Sequence, residues 1–154
     1  MFRLTEAVRI DRPAAEAWAI LVDFPNVPAW ESGVLEVRQT SPGAAGLGTT
    51  PVARRVYVGR ETVVHCRIVD WQDGRSVTME IAGGPTRRTF ASYSVEPVDD
   101  HACQVTYSVE GEMPPILVWL TPLIPAMGRK LVRANLVSLK RLVEAGAMDR
   151  SATP

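Results

Sequence analysis

The chain has 154 residues and a mass of 16.9 kDa, with 46% hydrophobic and 22% charged residues. That is the usage of one ordinary globular domain, and it excludes a disordered chain, a collagen and a coiled-coil rod. Seventeen basic residues cancel seventeen acidic ones, so no global field draws in nucleic acid or an anionic membrane. Two cysteines, Cys66 and Cys103, are too few for a disulfide framework or a zinc knuckle. The opening residues lack the apolar run of a signal peptide, so the cytoplasm is the default address.

Leu4 to Ile10 alternates and reads as a strand, with Leu4, Val8 and Ile10 on one face. Asp11 and Pro13 then signal a helix start, with Asp11 as the cap. The helix is expected over Pro13–Asp23, with Trp18, Leu21 and Val22 apolar. Pro25 and Pro28 stop it, and Phe24–Trp30 becomes a turn or a second short helix. Strands follow over Val34–Thr40, Val52–Gly59, Glu61–Trp71, Val77–Ile81, Arg87–Val95 and Cys103–Gly111. Asp73-Gly74 is the strongest tight-turn signal among them. Short links between consecutive strands imply an antiparallel sheet.

Met113–Gly128 carries no charge. It is shorter than the roughly 18–20 residues of a membrane span, and four prolines interrupt it. It reads as an apolar lid. A helix is expected from about Pro115 to Ala145, bent or interrupted at Pro122 and Pro125 and ended by Gly146. Leu131, Val132, Leu136, Leu139, Leu142 and Val143 fall within an arc of about 140°. Basic residues occupy the other side, which is usually a merely solvated face.

A long amphipathic helix and a twisted sheet must bury each other. This order resembles the START-like (SRPBCC, helix-grip) superfamily. Pro13, Trp18, Asp23 and Trp30 are similar to the opening of its polyketide cyclase/dehydrase and lipid-transport family. Tyr93–Asp100 resembles that family's penultimate strand and acidic turn, and Leu136–Glu144 its closing helix. The resemblance implies an α+β helix-grip fold: a curved antiparallel sheet of about seven strands wraps a long C-terminal helix, with two short helices after strand 1. It implies one ligand-binding domain over residues 1–148, with 149–154 as a flexible tail. It also implies an apolar cavity between the sheet and the last helix. The partner would be a hydrophobic small molecule, a lipid or polyketide. Fold alone does not settle function.

Polar groups on faces expected to be buried are the candidate site residues. Asn135 lies inside the apolar arc of the last helix, near Gly128. Its amide either bonds to a strand carbonyl or water, or meets the ligand. Tyr93 and Tyr107 share strand faces with Val95, Val105 and Val109, so both point inward, as core or as ligand contacts. Trp30 lies where pocket mouths occur in the family. Trp119 either caps a ligand or packs on the sheet. Arg87 shares the parity of Tyr93 and would clamp an anion or enolate, or else snorkel to water. His65 would act as an acid or base if it faced inward, but its alternation with Glu61 and Arg67 suggests the solvent face, and His101 falls in a turn. Glu31, beside Trp30, is either a carboxylate at the pocket mouth or, as is more usual for such a group, solvated. No phosphate loop, zinc motif or nucleophile elbow occurs, so no cofactor or metal is indicated. Three functions stay open: a carrier of apolar molecules, a cyclase or dehydratase using acid–base catalysis, and a protein-interaction module.

Overall fold

A computed structural model describes residues 2–57, 59–83, 87–112, 114–120 and 124–152 of the protein. Seven antiparallel strands form one sheet in the order β1-β7-β6-β5-β4-β3-β2. They are β1 (Phe2–Ile10), β2 (Val34–Gln39), β3 (Pro51–Tyr57), β4 (Arg60–Gln72), β5 (Ser76–Ala82), β6 (Arg87–Asp99) and β7 (Ala102–Glu112). Helix α1 (Ala14–Leu21) and a 3-10 helix (Phe24–Ala29) follow β1. A second 3-10 helix (Pro115–Leu120) precedes α2 (Ile124–Ala152). The curved sheet and terminal helix are those of the helix-grip fold.

The ladders carry an extra residue between Val34 and Glu36, Ile68 and Asp70, Arg87 and Phe90, and Pro97 and Asp99. Such bulges raise local twist. The β4–β5 turn closes through the Arg75 N–H donating to the Gln72 carbonyl at 2.8 Å. Gly74 there has φ +76°, a left-handed conformation that glycine adopts without a Cβ clash.

The concave face is covered by α1 against β6 and β7, by the first 3-10 helix against β2, and by α2 along β1. Ile10, Leu21, Ile68, Val105, Leu139 and Val143 are at most 2% exposed. Gly128 lets α2 approach β1 closely: a Cβ there would stand 2.5 Å from the Leu4 Cδ1.

Three local expectations change. Asp11 does not cap α1. Pro13 is the cap residue, without a side-chain hydrogen bond, and Asp11 pairs with Arg9 at 3.2 Å. Gly146 does not end α2, which continues to Ala152. Leu131, at one edge of the apolar arc, is 50% exposed, because α2 rests on β1 through the other side of that arc. Met113 and Pro122, within the expected lid, lie outside the described residues. The lid's Ile116 and Trp119 are exposed. No helix among the described residues is long and apolar enough to cross a membrane.

Candidate functional site

Four consecutive residues, Trp30 to Gly33, join the covering elements to the sheet. The first 3-10 helix ends with the Trp30 and Glu31 N–H groups donating to the Val27 carbonyl at 3.1 and 2.9 Å. This tight ending turns both side chains inward, and both residues are buried. Trp30 meets Tyr93 of β6 edge-on, with centroids 5.7 Å apart. Glu31 Oε1 accepts from Arg55 Nη2 of β3 at 3.0 Å. The Ser32 N–H donates to Asn135 Oδ1 of α2 at 3.0 Å. The Gly33 carbonyl accepts from the Val56 N–H at 2.7 Å.

Two small recesses flank this junction. An inner one, about 50 Å³, has mostly apolar walls that include Phe24, Val34, Ala53, Met79 and Ile81. An outer one, about 70 Å³, is bounded by Leu131, Val132, Asn135 and Leu136. Trp30, Glu31, Arg55, Tyr93 and Tyr107 border both, so they form the partition between them. Pockets for drug-sized ligands run to roughly 300–1,000 Å³. A guest larger than a few waters therefore enters only if side chains move. Met79 is the wall residue best suited to that, since its unbranched thioether repacks readily.

The Tyr93 and Tyr107 rings are 4.7 Å apart and tilted, as their cross-strand pairing dictates. Burial pushes the Tyr93 phenol well above its usual range, and the Glu31 carboxylate and Tyr107 add to this. Burial raises the Cys66 thiol to about 11; Arg55 opposes the shift and Glu31 adds to it. Both groups therefore stay protonated and neutral near pH 7. The net charge on this wall comes from the Arg55–Glu31 pair, which compensates itself.

Trp30, Tyr93, Tyr107 and Asn135 thus come together around the outer recess. The Asn135 Oδ1 accepts from a loop N–H, a partner outside the expected strand carbonyl, water or ligand. Trp119 does not join them. It is 68% exposed, and its indole N–H donates to the Ile116 carbonyl at 3.0 Å. The Arg87 side chain lies outside the described residues. His65 and His101 are exposed, as their strand parity and turn position implied. Glu31 is not solvated: it is 9% exposed and paired with Arg55, turned inward by the end of the first 3-10 helix. Arg55 was not anticipated. It shares the parity of Pro51 and Ala53, which the structure turns inward from β3. Among the described residues no group of three or more His, Cys, Asp or Glu side chains is placed to hold a metal.

Residues 1–144 match the family described as polyketide cyclase/dehydrase and lipid transport. The chain belongs to this family. Solved structures similar to this polyketide cyclase/dehydrase and lipid-transport family member include a START superfamily protein from Mycobacterium smegmatis. The two are 12% identical over 94% of this chain and 99% of that one, with a TM-score of 0.82. The Zhui aromatase/cyclase from Streptomyces sp. R1128 is 12% identical over 92% of this chain and 93% of that one, with a TM-score of 0.76. The di-domain ARO/CYC BexL from the BE-7585A biosynthetic pathway is 17% identical. It aligns over 94% of this chain and 47% of that one, with a TM-score of 0.72. At these identities the likeness is one of fold. A comparison with curated proteins finds no match.

Proposed function

We propose that this family member binds a small hydrophobic molecule between the sheet and the first 3-10 helix, behind the Trp30–Gly33 junction, where no described residue of α2 lines the apolar recess. The observation that carries the reading is unfilled apolar space in the core, walled by Phe24, Val34, Met79 and Ile81. Native cores are otherwise close-packed, and a guest that replaces water on such walls gains about 25 cal/mol per Å² of apolar area. Met79 and the exposed Leu131 edge supply the adaptability a larger guest requires. A lipid or an aromatic polyketide fits this chemistry.

The test is fluorescence of the uncharged apolar probe N-phenyl-1-naphthylamine, with Ala53→Phe as the blocking variant. Ala53 lines the inner recess and is 6% exposed. The expected result is bright saturable binding, weakened about tenfold or more in a folded Ala53→Phe chain. No binding, or equal binding in both proteins, refutes the reading.

A cyclase is the second reading, favoured by one feature of this chain: a carboxylate and a guanidinium, Glu31 and Arg55, sit on the recess wall. Arg55 would polarise a ketone or hold the enolate oxygen, and the Glu31 carboxylate would take the α-proton, while the recess imposes the reactive conformer. Glu31→Gln separates the readings. A cyclase loses ring closure of a poly-β-ketone while keeping probe affinity. A carrier shows no ring closure in either protein.

A further inference from the structure

The Trp30 indole narrows the class of molecule, on the understanding that the recess binds an apolar guest at all. Among the described residues, Trp30 Nε1 is the one buried side-chain nitrogen or oxygen with no hydrogen-bond partner. Trp30 is 4% exposed, and it borders both recesses. A buried donor left unmatched costs about 1–3 kcal/mol. A phenylalanine would fill much of the same space and carry no such donor. The rest of the junction is matched: Arg55 to Glu31, and Asn135 to the Ser32 N–H. Tyr93 meets the indole through a perpendicular ring contact, and the indole N–H has no oxygen or nitrogen acceptor.

The charge on the wall sets the second property. Arg55 already has a carboxylate 3.0 Å away, so a second carboxylate would enter beside Glu31 without a cation of its own. Burying an unpaired charge is far costlier than burying a carbonyl. We propose that the bound molecule presents an uncharged oxygen acceptor, a ketone or similar carbonyl, to Trp30 Nε1, and that the site rejects the corresponding carboxylate. The apolar remainder of the guest lies toward Met79 and Ile81.

Three probes of similar size test this: ethylbenzene, acetophenone and benzoate, each titrated by NMR into the full chain and into Trp30→Phe. Acetophenone is expected to move the Trp30 indole proton downfield, and ethylbenzene is not. The affinity ratio of acetophenone to ethylbenzene should fall about fivefold or more in Trp30→Phe, and benzoate should leave the recess signals in place. The indole shift in the unmodified chain decides the matter if Trp30→Phe does not fold. An unchanged ratio with no indole shift overturns the proposal and leaves apolar binding standing. Benzoate binding as tightly as acetophenone overturns the exclusion of anions. If none of the three perturbs the recess, the binding reading itself fails.

Discussion

Arg55 Nη2 lies 3.0 Å from Glu31 Oε1, linking the third strand to the loop that closes the recess. The side chains are 20% and 11% exposed, so much of the charge has been taken out of water. Such a pair is weak evidence for net stability, but breaking one side of it strands the other charge. Arg55→Met is expected to cost about 3 kcal/mol in urea unfolding. The double variant Glu31→Leu/Arg55→Met should recover most of that loss. Equal losses in single and double variants would show that the pair is effectively solvated.

Asn135 holds the same loop from the opposite side. Asn135→Ala leaves the Ser32 N–H without its side-chain acceptor and should lower stability by about 1 kcal/mol. Hydrogen exchange at the Ser32 amide should accelerate, while exchange in the β6–β7 ladder stays as it was. Unchanged exchange at Ser32 would mean that the 3.0 Å contact does not persist in solution.

The alkaline limb of stability follows from the buried thiols. Burial raises both Cys66 and Cys103 above 9.0, Cys66 to about 11. Above pH 9 the unfolded chain releases these protons while the folded chain keeps them, so stability falls as pH rises. Cys66 contributes a slope of about 1.4 kcal/mol per pH unit until its folded value is reached, and Cys103 adds in the same direction. Tyr93 adds a further decline above pH 10, from its own raised value. Cys66→Ala/Cys103→Ala should flatten the profile between pH 9 and 10 in urea titrations. A profile as steep as that of the unmodified chain contradicts the burial of the thiols.

Gly83 follows β5 with φ +99°, and a Cβ there would stand 2.8 Å from the Val63 carbonyl oxygen. Gly83→Ala is therefore both strained and crowded, with backbone as the obstacle. A loss of about 1–2 kcal/mol is expected, read as a lower urea midpoint with unchanged slope. An unchanged midpoint would show that this turn relaxes freely.

The fold was legible because three signals agreed. Strand-period alternation ran through most of the middle of the chain, Asp73-Gly74 marked a hairpin, and the apolar arc of α2 surrounded Asn135. The site was only half legible. In β3, Val52 and Val56 suggest an inward face, yet Val56 is 37% exposed while Ala53 is 6% exposed. Arg55 shares the inward parity of Ala53, where its charge is balanced by Glu31. That balance is invisible until the 3-10 ending places Glu31 opposite β3. Trp30, Tyr93 and Tyr107 were readable because large aromatics on a strand face, or closing a short helix, are usually interior. Trp119 misled for the same reason: its apolar neighbours suggest a cap, while its 3-10 helix turns it outward.

The direct test of the central claim is a set of intermolecular NOEs between ethylbenzene and the methyl groups of the ¹³C-labelled full chain. Binding behind the Trp30–Gly33 junction gives NOEs to Val34, Met79 and Ile81 and none to the exposed Val98 and Ile116. NOEs confined to the exposed methyls, or none at saturating ethylbenzene, would contradict it.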